Sequence, residues 1–196
     1  MANGQVTTGF SKPYVAKYTA SGTSVTYTDA MILARGVEVS IEPETSEDNN
    51  FYADNQVAES AAGIFTGGTV TLTVDGLLAT AEKLIMGLPT AVDGWTSYGD
   101  AQTIPDVGVG FIQRVMSGGT TSYVPIVLPR VIFSQIQTSA ATQEDEIDWQ
   151  TQELTATIKR DDTTDRAWKY VGTAQSTEAL AEAALQAMLD LTVVTT

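Results

Sequence analysis

Alternation between apolar and polar residues is clearest in the stretch from Phe51 to Gly87. Residues 69–74 alternate strictly, with Val70, Leu72 and Val74 on one side and three threonines on the other. This period of two, in residue types that suit a pleated sheet, predicts a half-buried strand. Asp75 follows at a position typical of a helix N-cap, and apolar residues then recur at helical spacing as far as Gly87. The stretch therefore predicts a strand that leads into a short amphipathic helix, with a turn at Thr66, Gly67 and Gly68 before the strand.

Other alternating or apolar runs predict further strands. They lie at residues 37–42, 106–113, 123–133, 147–158 and 166–171. Ser117-Gly118-Gly119-Thr120 is typical of a hairpin turn. A second helix is predicted from a cap at Ser176, with an apolar stripe formed by Leu180, Ala184, Ala187, Met188 and Leu191. About seven strands and two helices in this order predict a mainly β (α+β) fold, an antiparallel β-sandwich or barrel with a flanking short helix and a C-terminal helix.

Glycines and prolines inside two of these runs indicate special packing. Gly108 and Gly110 fall on one face of their strand, which predicts the close approach of another part of the chain. Pro125 and Pro129 lie an even number of residues apart, so both missing N–H groups face the same neighbour. We therefore expect this strand to be an edge strand, or to be bulged at a proline.

The first 20 residues show only weak periodicity. They are predicted to be an N-terminal arm, either disordered or ordered against a neighbouring molecule, with Lys12, Tyr14, Lys17 and Tyr18 as candidate contacts. The remaining residues, 21–196, show no repeat and no clear domain break, and they are predicted to form one domain.

Residue types that carry most enzyme chemistry are missing. The 196-residue chain contains no cysteine and no histidine, so thiol nucleophiles, disulfides, zinc thiolate sites and the usual general base are all absent. No nucleophile elbow or phosphate-binding loop occurs, and the acidic loop at residues 44–50 lacks the spacing of a calcium loop. We expect no enzymatic activity, no cofactor and no metal. There is no signal-peptide pattern and no apolar run of membrane-spanning length, which makes a cytoplasmic origin the default expectation.

Charge is strongly negative and unevenly distributed. The formal net charge is −14, and Lys83 is the only basic residue between Gly36 and Gln113. Such a surface repels phosphate backbones, which argues against an ordinary nucleic-acid binder. Two interpretations remain open: a surface that keeps the protein soluble, or a surface that faces DNA without holding it.

The segment FYADNQVAESAAGIFTGGTVTLTVDGLLATAEKLIMG resembles the central signature of the major tail proteins, the tail tube proteins of long-tailed non-contractile bacteriophages. The family's strand, acidic loop, Tyr-Ala-Asp motif, Gly-rich turn, alternating strand and short helix occur in this order. Later segments match in order as well: residues 107–111, 123–134 and 146–159, and Ala167-Trp168-Lys169 before a terminal helix. The resemblance covers roughly Val15 to Leu191, and it departs from the family in Pro125, Pro129 and the loop at residues 88–105.

The resemblance implies a subunit that forms hexameric rings, which stack into a hollow tube that conducts DNA during ejection. The implied partners are further copies of this chain and the tape measure, tail terminator and distal tail proteins, with DNA passing through unbound and no membrane involved. The implied location is the virion tail, and the host cytoplasm during assembly.

Candidate roles follow by position. Glu38 and Glu42, on the polar face of the strand at residues 37–42, are candidates for the lumen. The candidates for contacts between rings are Glu44, Glu47, Asp48, Phe51, Tyr52 and Asp54. Two other classes are kept as alternatives: a different self-assembling β protein, such as a capsid decoration or secretion-tube protein, and a monomeric carbohydrate- or cell-binding β-sandwich. The second alternative needs an aromatic platform, for which Trp95 and Tyr98 are the candidates.

Overall fold

The computed structural model describes residues 4–47, 49–53, 56–61, 63–100, 102–138 and 150–190, with only the backbone described for 49–53 and 56–61. The strands are β1 (Val6–Ser21), β2 (Ser24–Ile32), β3 (Gly36–Thr45), β4 (Asn49–Ala53), β5 (Gln56–Ala61), β6 (Phe65–Val74), β7 (Val107–Ser117), β8 (Thr120–Phe133), β9 (Gln152–Lys159) and β10 (Tyr170–Val171). The helices are α1 (Ala79–Met86) and α2 (Glu178–Met188). The expectation of a mainly β, antiparallel fold with two short helices is confirmed.

One open antiparallel sheet makes up most of the molecule. Its strand order is β2-β1-β7-β8-β9-β6-β3, with β10 paired to β8, while β4 and β5 form a separate two-stranded sheet. The predicted hairpin turn joins β7 to β8, where Gly118 and Gly119 have φ values of 56° and 83°. Two positive φ angles are what a two-residue hairpin loop of the favoured twist requires, so glycine suits both positions.

The strand with two prolines is central and not an edge. β8 pairs with β7 on one side and with β9 and β10 on the other. The register against β7 shifts between the pairs Val109–Leu128 and Val107–Val131, so that Pro129 lies in a bulge. The edge interpretation is therefore wrong, and the bulge interpretation is confirmed, because a bulge leaves a residue without a ladder partner.

The N-terminal segment is part of the sheet, contrary to the expected arm. Residues 6–21 form β1, which pairs with β7 from Val6 to Lys17 and with β2 from Tyr14 to Ser21. Tyr14, Val15, Ala16 and Tyr18 are all buried. These long-range pairings give β1 its order, and the local sequence, with its Gly, Thr, Ser and Pro, carries little sign of them.

Details around β6 also differ from expectation. Gly67 and Gly68 lie within β6, opposite Glu44 and Pro43, and do not form a turn. A Cβ on Gly68 would lie 2.6 Å from the Glu42 carbonyl oxygen, which explains the glycine. Helix α1 begins after Leu78 without a side-chain cap, while Gly87 ends it in the left-handed region as predicted. Asp75 instead accepts a hydrogen bond from the Arg35 N–H and forms an ion pair with its guanidinium.

The sheet carries a hydrophobic core on each face. The larger core packs α1 against the sheet, through Ala81, Ile85 and Met86. The smaller core packs α2 against the opposite face, through Leu185 and Leu189. Successive residues of β1 alternate between the two cores, with Val15 in the larger one and its neighbours Tyr14 and Ala16 in the smaller one. This alternation is the pleat of a strand that is buried on both sides.

Helix α2 faces the sheet with a different stripe from the one predicted. Its cap is Thr177, whose hydroxyl accepts a hydrogen bond from the Leu180 N–H, and not Ser176. The buried side chains are Ala181, Leu185 and Leu189, whereas Leu180 is 53% exposed. Leu191, in the predicted stripe, lies outside the described residues. Apolar residues occur on several faces of this alanine-rich helix, so their spacing alone does not select the buried face.

Gly108 and Gly110 make the room that α2 needs. A Cβ on Gly110 would lie 3.0 Å from a methyl carbon of Leu185 and of Leu189, and one on Gly108 would lie 2.5 Å from the Tyr27 ring. The expected close approach is thus to side chains of α2 and β2. Tyr27 is fixed by its own hydrogen bond, in which its hydroxyl donates to the Pro129 carbonyl at 3.0 Å.

We expect Gly108→Ala to lower the free energy of unfolding by roughly 1–3 kcal/mol, because the held Tyr27 ring must shift. Gly76→Ala is the matched control, since nothing lies within 4 Å of a Cβ at Gly76, and it should change stability by no more than about 0.5 kcal/mol. Urea unfolding followed by circular dichroism measures both variants. Equal stability of the two variants would contradict this account of the packing.

Candidate assembly surfaces

Three neighbouring strands present a continuous polar surface, which we call the polar face. In register across β3, β6 and β9, the rows are Glu38, Thr73, Glu153; Ser40, Thr71, Thr155; and Glu42, Thr69, Thr157. Residues directly opposite each other on paired strands lie on the same side of the sheet. The polar face therefore combines six hydroxyl groups with three carboxylates, and no basic residue stands in these three rows. The next residue of β9 on the same side is Lys159, which forms an ion pair with Asp106.

The opposite side of the same strands is apolar and closes the larger core. Val70, Leu72 and Val74 of β6 are fully buried, and so is Ala156 of β9. Val39 and Ile41 of β3 pack against this core while remaining partly exposed. Because the period of two separates the sides completely, the apolar side can be buried only if the polar face points away from the core. Both lumen candidates, Glu38 and Glu42, are exposed on that face.

The sheet has open strand edges near the polar face. Among the described strands, β3 pairs only with β6, so its other edge carries no ladder. The first part of β1, before Tyr14, likewise pairs only with β7 among those strands. A groove of about 400 Å³ lies between these two segments, lined by Phe10, Val39 and Ile41 among others. Unpaired N–H and C=O groups at such edges are templates for another strand.

The expected contact loop between β3 and β6 contains a β-hairpin. β4 and β5 pair with each other from Asn49–Ala61 to Ala53–Gln56, and with no other described strand. The Ser46 N–H donates to the Ile64 carbonyl at 2.9 Å and closes the base of the hairpin. Glu44 and Glu47 are exposed at this base, and Phe51 and Tyr52 lie in β4. Asp48 and Asp54 lie outside the described residues.

Three of the four residues expected to contact a neighbour bind within the chain. The Lys12 ammonium forms an ion pair with Glu182 of α2. The Tyr14 hydroxyl donates to the same carboxylate at 2.6 Å, and the Tyr18 hydroxyl donates to Asp162 at 3.0 Å. Burial alone would raise the pKa of Glu182, but the hydrogen bonds from Lys12 and Tyr14 outweigh it and lower the pKa. The contacts of Lys12 and Tyr14 dock α2 onto β1. Of the four residues, only Lys17 stays exposed without an ion pair to the described residues.

A half-buried ionic cluster, not anticipated from the sequence, ties five segments together. The Arg130 guanidinium of β8 donates to Asp106 at 2.7 Å and to Asp162 at 2.9 and 3.0 Å. The Lys159 ammonium of β9 also donates to Asp106, at 2.9 Å. The Asp162 N–H donates to the Tyr18 hydroxyl at 2.9 Å, and Arg130 lies over the Tyr18 ring. A single arginine within the otherwise apolar run of β8 was the available sequence signal, because a charge in such a strand needs a partner.

Asp106 holds the two cations of this cluster together. Burial alone would raise the pKa of the Asp106 carboxyl, but hydrogen bonds from Lys159 and Arg130, together with their charges, lower it. Next to the cluster, the buried Asp161 accepts hydrogen bonds from the hydroxyls of Tyr170 at 2.8 Å and Thr163 at 2.7 Å. Both carboxylates, Asp106 and Asp161, bind groups of the same chain, which indicates a structural role.

The aromatic residues of the loop after α1 do not form a shared platform. Trp95 is 82% exposed and Tyr98 is 52% exposed, and in the described part of the chain the two rings do not pair. The Tyr98 hydroxyl donates to Glu82 at 2.5 Å, and this hydrogen bond raises the pKa of Tyr98 to about 12. This geometry gives no support to a carbohydrate platform built from the two rings.

No cluster of metal-binding side chains is found in the described ranges. Within them, no three side chains of the metal-binding types come together, and neither helix is long and apolar enough to cross a bilayer. A comparison with protein-family models found no match to this chain, and a search of curated proteins found none either.

The ionic cluster predicts a defined acid response. A carboxyl group whose pKa is lowered by folding stabilises the fold above its unfolded pKa, near 4, and this stabilisation is lost as the pH falls through the folded pKa. We expect Asp106→Asn to lower the free energy of unfolding by roughly 1–3 kcal/mol at pH 7, with the difference from the unsubstituted protein shrinking as the pH falls below 4.

Urea unfolding at a series of pH values measures this difference. Asp75→Asn is the control, because the Asp75–Arg35 pair is largely exposed and such pairs contribute little. A difference at Asp106 that is independent of pH would show that the carboxylate charge is not the source of its stabilising effect.

Proposed function

We propose that this chain is the structural subunit of a bacteriophage tail tube, in which hexameric rings stack around an acidic lumen that conducts DNA. The observation that carries the proposal is the polar face of β3, β6 and β9, where three carboxylates and six hydroxyls stand in three rows without a cation, and where the adjoining Lys159 is paired with Asp106. The resemblance of residues 51–87 and the later segments to tail tube proteins suggests the family. The polar face gives a physical reason why DNA passes along this surface without binding.

A surface of this kind suits passage of DNA without binding. Affinity of proteins for DNA comes mainly from cations that neutralise phosphates and release counterions. A wall with Glu38, Glu42 and Glu153 repels the phosphates instead, and its threonine and serine hydroxyls keep it wet. The repulsion acts over about 10 Å at moderate salt, so it keeps the duplex off the wall in a narrow channel.

Open edges supply a means of ring closure. The free edge of β3 and the free first part of β1 accept a strand from a neighbouring subunit, which continues the sheet from copy to copy. A head-to-tail contact of this type closes when the rotation per subunit divides a full turn. In such a ring the polar faces of all copies join into one inner wall.

The hairpin of β4 and β5 is proposed to join one ring to the next. Two-stranded hairpins are at best marginally stable alone in water, and this one pairs with no other described strand. A second ring that packs on it supplies the missing support. The tape measure, tail terminator and distal tail proteins are the further partners that membership of the family implies, and the virion tail is the implied location.

We expect Glu38→Lys combined with Glu42→Lys to leave tubes able to form but to reduce DNA delivery, because lysines in the lumen hold phosphates. The measurement is DNA delivered per assembled particle. Asp93→Lys with Asp100→Lys is the control, since it makes the same charge change in the exposed loop after α1 and should leave delivery unchanged. Normal delivery through tubes of the Glu38/Glu42 variant would exclude these residues from the lumen.

Replacement of residues 48–62 by a short Gly-Ser linker should block tube growth while the subunit stays folded. The linker is feasible because the Ser46–Ile64 hydrogen bond already holds the base of the hairpin closed. Electron microscopy gives tube length, and circular dichroism gives folding. Tubes of unchanged length would remove the hairpin from the stacking contact.

A further inference from the structure

A groove next to helix α1 differs in charge from the rest of this acidic protein. It encloses about 550 Å³ between α1 and the strands β1 and β2. Met31, Leu84, Leu88 and Pro105 supply apolar surface, and Lys17 and Lys83 supply two cations. Asp29 is the carboxylate in the lining. The groove is thus apolar with a net positive charge, in a chain whose formal net charge is −14.

The two lysines of the groove have no acidic partner among the residues that the structure describes. Both are exposed, and neither forms an ion pair there, although Lys12, Arg35, Arg130 and Lys159 all do. The Lys83 ammonium makes one hydrogen bond, to the Thr90 hydroxyl at 3.3 Å. Two unpaired cations beside apolar surface suit a partner that is both acidic and aromatic.

The β4–β5 hairpin, together with the end of β3 that leads into it, has this composition. Residues 44–61 contain five carboxylates, at Glu44, Glu47, Asp48, Asp54 and Glu59. They also contain Phe51 and Tyr52, and they include no lysine or arginine. The hairpin pairs only with itself in the described part of the fold, so it needs support from outside its own two strands.

The hairpin and the groove are separated along the chain by strand β6. The hairpin precedes Phe65, where β6 begins, and α1 follows Val74, where β6 ends. At about 3.3 Å per residue, the ten residues of β6 span roughly 30 Å. Because the hairpin leaves one end of β6 and α1 follows the other end, the occupant of the groove belongs to a second copy.

We infer that the groove at Lys17 and Lys83 is the receptor for the acidic hairpin of a second copy of this chain. Each copy then offers a hairpin at one end of β6 and a groove at the other, which makes a head-to-tail contact that repeats without closing. The inference rests on the proposed stacking of rings and adds to it the surface that receives the hairpin.

The test reverses the charge of the groove. Lys17→Glu with Lys83→Glu should raise the concentration needed for tube growth roughly tenfold or more, because like charges then face each other across the contact. Sedimentation of assembled tubes measures this concentration, and single rings should still form. Arg114→Glu is the control, a charge reversal at one exposed cation on β7 without an ion pair to described residues, and it should leave tube growth unchanged.

A second set of variants separates a specific contact from a general effect of charge. Glu44→Lys, Glu47→Lys and Glu59→Lys together should block growth in the same way, and their combination with Lys17→Glu and Lys83→Glu should restore it at least in part. Unchanged growth of the groove variant, or no recovery in the combined variant, would overturn the groove as receptor while tube formation stands. A failure of the unsubstituted protein to form tubes would instead overturn the proposed function.

Discussion

Complete separation of apolar from polar side chains across residues 69–74 of β6 is the constraint on which the structure depends. Val70, Leu72 and Val74 are fully buried on one side, and burial of three such side chains contributes roughly 5–9 kcal/mol. That is comparable with the whole stability of a typical domain. A slip of one residue against β3 or β9 would bury the threonines, so the register that protects the core also assembles the polar face.

The ionic cluster at the C-terminal end of β9 fixes the neighbouring strands of this sheet. Arg130 and Asp106 join β8 to the segment that leads into β7, and Lys159 brings in β9. Asp162 and Tyr18 add the turn after β9 and strand β1. Since each charge in the cluster has a partner, the burial of these groups is compensated, and the cluster fixes how the strands meet.

The elements that depend only on nearby residues could be predicted from the sequence pattern. The alternation in β6, the Gly118-Gly119 hairpin and the glycine that ends α1 each follow from residue type and spacing, and the structure contains all three. β1 could not be predicted in this way, because its order comes from pairing with β7, which lies about a hundred residues away in the sequence. The ionic cluster joins residues as distant as Tyr18 and Asp162 for the same reason.

The candidate surfaces show the same distinction between what local pattern predicts and what long-range pairing decides. Glu38 and Glu42 could be placed on a polar face from alternation alone, but their alignment with Thr69, Thr73 and Glu153 depends on register. The expected arm contacts Lys12 and Tyr14 proved to be internal because α2 folds back onto β1, and helical spacing alone did not reveal the side on which α2 packs. Tyr18 is internal because it binds Asp162 in the turn after β9.

The central claim is that this chain assembles by itself into a hollow tube. Negative-stain electron microscopy of the purified, unsubstituted protein at moderate salt tests it most directly. The account predicts stacked rings with six-fold symmetry and an open channel. Monomers that stay dispersed, or closed particles without tubes, would contradict it.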